Sequence, residues 1–351
     1  MPHTHPYEQL TPQHVLDLLE TQELRGDGRL LMLNSYENRV FQVYLEDGSA
    51  VVAKFYRPER WTDAQILEEH AFAAELAAQD LPVVAPTPLL QQQTLAFARS
   101  ADDPQGSGFR FAVYVLKSGH GPELDDPDTL RWLGRFIGRM HAVGSRQTFV
   151  HRRTLDAQQF GHHAIQRIEA LDLLPPAQAP AWLAAARAAL TMAEQALADV
   201  APRLIRLHGD CHPGNILWRD PDESIGPDGQ RRGGGPHIVD LDDAVNGPAI
   251  QDLWMLLSGS SEAMQGQLVP LLQGYRAFND FESRELALIE PLRTLRMLHH
   301  SAWIAERWSD PAFPAAFPWF GSASYWGQQT TQLNEQLAAM AEPPLTGHGA
   351  H

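Results

Sequence analysis

The sequence predicts an α+β protein in which a small, antiparallel, β-rich first part precedes a larger, mainly helical second part. Three observations predict it. β-prone runs separated by turn residues fill residues 30–55 and return at 93–98 and 109–116. Beyond residue 127 the apolar side chains recur mostly at helical spacing. With 351 residues, 44% of them hydrophobic and 20% charged, the chain can build two cored units and does not read as disordered.

The elements follow in order. Thr11 followed by Pro12 is a helix start, and Val15, Leu16, Leu18 and Leu19 carry a helix over about 11–25. Residues 30–33, 39–45 and 51–55 read as three antiparallel strands, parted by the turns Asn34-Ser35 and Glu46-Asp47-Gly48. A helix over about 62–79, stopped ahead of Pro82, and strands at 93–98 and 109–116 complete a five-stranded lobe. Residues 117–127, rich in Gly, Pro and polar groups, suit a hinge. The expected boundaries are therefore 1–116 for a first lobe, 117–341 for a second and 342–351 for a loose tail. Within the second lobe the Ala-rich stretch 180–198 has amphipathic spacing. Residues 215–218 and 237–240 are short strands, and the Gly-rich, charged run 220–236 is an extended turn between them.

Charge and cysteine content exclude several classes of function. The chain has 27 Lys and Arg against 43 Asp and Glu, a net charge of −16, which repels nucleic acid and anionic membranes. The pair Arg231-Arg232, in the Gly-rich turn, reads as solvated decoration. A single cysteine, Cys211, rules out an intrachain disulfide framework. The N-terminus has neither a basic start nor an apolar run for export, and no stretch approaches the roughly 20 apolar residues of a membrane span, so a cytoplasmic protein is expected.

The chemistry concentrates in Leu207-His208-Gly209-Asp210-Cys211-His212-Pro213-Gly214-Asn215-Ile216-Leu217, followed by Ile238-Val239-Asp240-Leu241-Asp242-Asp243. Asp210 and Asn215 keep the five-residue offset of a phosphoryl-transfer catalytic loop, where the Asp accepts the acceptor hydroxyl's proton and the Asn holds a metal ion. Asp240 then stands where a second metal-binding carboxylate belongs. Two Mg²⁺ ions need hard oxygen ligands, and the acceptor hydroxyl needs a carboxylate within hydrogen-bond reach to aim it at the γ-phosphate of ATP. Upstream, Lys54 closes the third strand, the position from which a lysine reaches the α- and β-phosphates. On the next helix Glu69 shares a face with Phe72, Ala73 and Leu76 and should point inward, with Lys54 as its cationic partner, while Glu68 points outward. The turn around Ser35 sits where a loop covers the phosphates, but it lacks the usual glycines. Its readings are an ATP contact by Ser35 and its backbone amides or a plain hairpin turn. The adenine site is expected beside residues 111–116.

A second class stays open: His208, Asp210 and His212 alternate like ligands of Zn²⁺ or Mn²⁺, which suits a metallohydrolase but leaves Lys54 unexplained. His208 reads better as a structural histidine that buttresses the loop, and Cys211 as a small packed side chain. Trp303, Arg307, Trp308, Trp319, Tyr325 and Trp326 read as core in preference to a substrate surface.

These residues resemble the aminoglycoside phosphotransferase and choline kinase superfamily, whose loop has the His-Gly-Asp-x-His-x-x-Asn form found at His208 to Asn215. The resemblance is closer to the stress response kinase A (RdoA-like) family of bacterial Ser/Thr protein kinases. It is carried also by Asn34-Ser35-Tyr36-Glu37-Asn38-Arg39-Val40, Ile66-Leu67-Glu68-Glu69-His70, Gly247-Pro248-Ala249-Ile250-Gln251-Asp252-Leu253-Trp254 and Trp308-Ser309-Asp310-Pro311-Ala312-Phe313. It implies a two-lobed, protein-kinase-like fold, Asp210 as proton acceptor, Asn215 and Asp240 as Mg²⁺ ligands, Ser35 as an ATP contact, and Asp252 as a structural acid bonding the catalytic loop. It further implies autophosphorylation, a cytoplasmic monomer and a role in protection under stress. The run 220–236 is longer than the family's turn. The expected acceptor is a protein Ser or Thr hydroxyl, with a small-molecule alcohol, as in the aminoglycoside, choline and homoserine kinases, as the alternative. The acidic balance favours basic acceptors.

Overall fold

The computed structural model describes residues 6–99, 108–220 and 234–347. In chain order its elements are α1 (Pro12–Glu20), β1 (Gly26–Met32), β2 (Arg39–Leu45), β3 (Ala50–Phe55), α2 (Asp63–Ala77), β4 (Ala96–Ala98), β5 (Phe109–Val115), α3 (Pro127–Gly144), α4 (His163–Ala170), α5 (Ala179–Val200), β6 (Ile205–Leu207), β7 (Ile216–Arg219), β8 (Gly235–Ile238), β9 (Val245–Gly247), α6 (Ile250–Trp254), α7 (Ser261–Tyr275), α8 (Ile289–Glu306), α9 (Ala312–Ala316) and α10 (Ala323–Ala341). The α+β, protein-kinase-like class expected from the sequence is the one observed. The chain forms two compact units, Met1–Gly121 with Ile216–Asp242, and Pro122–Asn215 with Asp243–His351.

In the first unit the five expected strands form one antiparallel sheet in the order β1-β2-β3-β5-β4. Alternation fixes its core: Phe41, Val43 and Leu45 of β2, Ala53 and Phe55 of β3 and Phe109, Phe111 and Val113 of β5 bury one face against Val15, Leu18 and Leu19 of α1. Helix α1 starts where expected, with the Thr11 hydroxyl accepting from the His14 N–H. Strand β1 begins at Gly26, ahead of the expected 30, across an irregularity between Gly26 and Leu30. Glycines at 26 and 28 hide a strand that pairing with β2 enforces. Thr62 and Gln65 close a reciprocal capping box at the start of α2.

The hairpin β7–β8 belongs to this same unit. Ile238 N–H donates to the Pro82 carbonyl and the Ile238 carbonyl accepts from Val84 N–H, while Trp218 exchanges two backbone bonds with His120. The strands run 216–219 and 235–238, so Val239 and Asp240, expected at a strand end, fall just beyond it. Of the expected long turn, residues 221–233, including Arg231-Arg232, lie outside the described residues.

The second unit is helical around two short strands, β6 paired with β9. Helices α3 and α7 approach closely because small residues meet there: a Cβ at Gly134 would lie 2.0 Å from the Leu271 carbonyl oxygen. The Ala-rich stretch forms α5, whose Trp182 packs edge to face on Trp326 of α10 at 5.2 Å. Of the C-terminal aromatics Tyr325 and Trp326 are buried core, and Trp319 stays 47% exposed. In the expected tail Thr346 N–H donates to Gln265 Oε1. Among the described residues no helix is long and apolar enough to cross a membrane.

Candidate active site

In the first unit Lys54 sits on β3 between Ala53 and Phe55, which face the apolar core, so alternation turns it to the opposite face. There it lies opposite Val40 on β2 and Ala112 on β5, on the side where Tyr56, Trp61, Ile66 and Ala112 pack together. Its side chain is 7% exposed, and its ammonium donates to Asp240 Oδ1 at 2.9 Å and approaches Asp242 Oδ1 at 3.1 Å. Burial lowers the Lys54 pKa, but Asp240, Asp242 and Glu69 outweigh it and hold the pKa well above the ordinary value. Lys54 is therefore a permanent cation.

The cation expected to pair with Glu69 thus has Asp240 and Asp242 in direct contact. Glu69 is buried, as its helical spacing predicts, and adds its charge to theirs. Asp242 also contacts Arg60, which lies 3.7 Å from Glu37, and Glu37 meets Arg57 at 3.0 Å. Asn38 Oδ1 accepts from Arg57 N–H at 3.1 Å. This network ties the turn that carries Ser35 to the segment beyond β8. Ser35 itself is half-buried in that turn. Four carboxylates (Glu37, Glu69, Asp240, Asp242) face three cations (Lys54, Arg57, Arg60), and Asp240, at 50% exposure, is the open oxygen donor of the set. A hard divalent cation fits that oxygen. Asp240 has a φ of 60°, a left-handed conformation that Asp tolerates better than most residues.

In the second unit the loop from His208 to Asn215 leaves β6 and is gripped by one turn of α6. The Asp252 carboxylate accepts from His208 N–H at 2.9 Å, Gly209 N–H at 2.8 Å and His141 Nε2 at 3.0 Å. Gln251 Nε2 donates to the Gly209 carbonyl at 2.9 Å. His141, from α3, is held in turn by Tyr275 of α7 at 3.0 Å. Burial pushes the Asp252 carboxyl up, but the His141 hydrogen bond and the neighbouring His charges and Gly209 amide hold it below the usual value. Gly209 has no substitute: its φ is 84°, and a Cβ would lie 2.2 Å from the Asp243 carbonyl oxygen.

The grip delivers Asp210 at the loop apex, its side chain 21% exposed. Asn215 Nδ2 donates to the Asp210 carbonyl at 2.9 Å, which leaves the amide oxygen as a neutral donor for a cation. His208 is fully buried, with Nδ1 accepting from Asp210 N–H at 3.3 Å, the buttress the sequence suggested. Cys211 is buried, and burial pushes its thiol well above the usual range. Among the described residues no three His, Cys, Asp or Glu side chains gather as a metal cluster, and the ring nitrogen that His208 turns on its own loop gives the metallohydrolase reading no support.

Residues 31–288 match the phosphotransferase enzyme family. The chain is 41% identical over 345 residues to stress response kinase A of Escherichia coli (strain K12), covering 97% of this chain and 96% of that protein. The chain belongs to this phosphotransferase family, in its stress response kinase A group. Its relative in Salmonella typhimurium (strain LT2), described as the serine/threonine protein kinase RdoA, is 41% identical over 340 residues with the same coverage, 97% and 96%. Among solved structures, amicoumacin kinase hAmiN in complex with AMP-PNP, Ca²⁺ and Ami aligns with a TM-score of 0.67 at 18% identity, over 94% of this chain and 93% of that one. The microcompartment-associated aminopropanol kinase gives 0.67 at 18%, over 95% and 100%. At that identity the likeness speaks for the fold. ATP binding follows from membership of a kinase family.

The sequence missed Asp242, Arg57 and Arg60 as partners around Lys54, and His141 and Arg296 around Asp252 and Asp210. Asp242 was visible inside the motif. Arg296, 86 residues beyond Asp210, carried no local signal.

Proposed function

We propose that this chain is an ATP- and Mg²⁺-dependent serine/threonine protein kinase of the stress response type, able to phosphorylate itself and acting as a cytoplasmic monomer. The observation that supports the reading is the Asp252 clamp, which holds the loop that carries Asp210 and Asn215. Asp210 aims the acceptor hydroxyl and takes its proton. Asn215 and Asp240 are the Mg²⁺ ligands, the ions serving to neutralise charge on the transferred phosphoryl group. Lys54 holds the α- and β-phosphates, Glu69 reinforces its positive state, and Ser35 contacts ATP from its anchored turn.

The test is incubation with γ-labelled ATP, with Mg²⁺ or with a chelator, comparing wild type with Asp210→Ala. Label on the protein and on added Ser peptides in wild type alone supports the reading; loss of a positioned base costs about 10²- to 10⁴-fold. ATP binding with no label on any protein or peptide moves the acceptor to a small alcohol. Near-normal turnover by Asp210→Ala removes the assignment.

A further inference from the structure

Arg296 lies on α8, whose Leu292, Leu295 and Leu298 turn into the core, and places Nη1 2.5 Å from Asp210 Oδ1. The second oxygen, Oδ2, has longer approaches, 3.5 Å from His212 Nε2 and 3.5 Å from Asn215 Nδ2. The carboxylate is therefore asymmetric. A charge-assisted bond occupies one lone pair of Oδ1, and Oδ2, with the longer approaches, is the better placed to accept an incoming O–H. One helical turn on, His300 stacks on Trp303 at 5.6 Å with Phe317 edge-on at 6.4 Å. Burial first, and then the Arg296 charge, push His300 down to about 4, so it is neutral near pH 7. The lasting positive charge of this stripe beside Asp210 is the Arg296 guanidinium, whose side chain is 41% exposed.

We propose that Arg296 is a positioning and selectivity residue for the acceptor: it holds Asp210 through Oδ1, leaves Oδ2 for the acceptor hydroxyl, and sets a fixed positive charge beside that hydroxyl. The site then takes alcohols in neutral or anionic surroundings, such as a Ser or Thr flanked by acidic residues, over amine-bearing alcohols. The inference rests on Asp210 being the base, as proposed above. In the transfer step the hydroxyl proton passes to Oδ2, the hydroxyl oxygen bonds the γ-phosphorus, and the bond from that phosphorus to the ADP oxygen breaks. The overall acidity of the chain favoured basic acceptors, but Arg296 offsets the Asp210 charge and is nearer the acceptor than the mean field of the surface. At partial exposure, one like charge a few ångströms away is worth about tenfold in selectivity.

The test uses two Ser peptides that differ only in Glu or Lys flanks, together with glycerol and aminopropanol as small alcohols. Each is offered with γ-labelled ATP to wild type, Arg296→Lys, Arg296→Gln and Arg296→Glu, with folding checked by circular dichroism. Wild type and Arg296→Lys should favour the Glu-flanked peptide by about tenfold in kcat/KM, Arg296→Gln should level the preference, and Arg296→Glu should invert it. A purely structural Arg296 would change the rate of all acceptors alike. Wild type favouring the Lys-flanked peptide, or Arg296→Glu keeping the wild-type preference, overturns the inference and leaves the kinase reading standing. If neither peptide is labelled, the protein-acceptor reading fails; preference for glycerol over aminopropanol then supports the inference, and the reverse preference overturns it. Transfer to none of the four with ATP bound overturns both.

Discussion

Replacing Asp252 with Asn tests whether the catalytic loop is held from below. The wild-type carboxylate is fully buried and accepts three hydrogen bonds, from His208 N–H, Gly209 N–H and His141 Nε2. An amide of the same shape can set its oxygen at the Oδ2 position, which serves His208 N–H and His141 Nε2, and then turns an NH₂ toward Gly209 N–H, so one donor loses its acceptor. A buried donor left unsatisfied costs about 1–3 kcal/mol. Against a total stability of about 5–15 kcal/mol that loss is large but survivable, whereas Asp252→Ala orphans all three donors and approaches the limit. With a urea slope of about 1–3 kcal/mol per molar, the Asn variant should unfold about 1 M earlier, read by tryptophan fluorescence. The effect on rate follows from position. The Gly209 amide that loses its anchor immediately precedes Asp210, and a displacement of about 1 Å at a reacting group costs about a hundredfold. The wild-type group is ionised above the usual carboxyl range because its folded pKa is lowered. Its contribution is therefore complete near neutrality and disappears as pH falls below about 4. An Asn variant with wild-type midpoint and wild-type turnover refutes the clamp. One that is destabilised yet transfers phosphate at the normal rate refutes the positioning step alone.

Two further outcomes follow from buried charge. Lys54→Met removes a charge-assisted bond worth about 1.5–3 kcal/mol, so ATP affinity measured by titration calorimetry should fall about 10- to 150-fold. The fold loses less, because Asp242 keeps Arg60 and Asp240 is half exposed; unchanged ATP affinity removes Lys54 from the nucleotide site. Glu285, which accepts from Ile250 N–H at 3.0 Å, is pushed by burial from 4.5 up to about 7, while His300 is pushed from 6.5 down to about 4. Between about pH 4.5 and 7 the folded protein holds a proton on Glu285 that the unfolded chain has released, so this group makes stability fall as pH rises, by about 3 kcal/mol in all. His300 acts oppositely, its contribution present above about 6.5 and lost as pH falls to about 4. Glu285→Gln should therefore unmask a stability that climbs from pH 4 to 6.5 in urea titrations. A pH profile parallel to wild type contradicts the Glu285 assignment, and a variant profile that is flat from pH 4 to 6.5 contradicts that of His300.

The readable parts of this protein were those written in local pattern. The loop motif holds Asp210 and Asn215 within eight residues, His208 to Asn215, and alternation in residues 39–45 and 51–55 places the sheet core and sets Lys54 on the opposite face. Helical spacing was enough to bury Glu69. The Thr11 and Thr62 caps marked two helix starts because a cap needs only residues three apart.

What the sequence by itself determined is the α+β class and the phosphotransferase family. Tertiary structure alone decided which charges meet. Lys54 and Asp240 are 186 residues apart, and Asp210 and Arg296 are 86 apart. Strands of three residues such as β6 and β9 have too little pattern to announce their pairing, and the hairpin β7–β8 joins the first unit through bonds to Pro82, Val84 and His120 that no local spacing encodes. The physical reason is that pattern reports which face a side chain takes, whereas an ion pair depends on which distant segment packing brings to that face, as α8 brings Arg296 to Asp210.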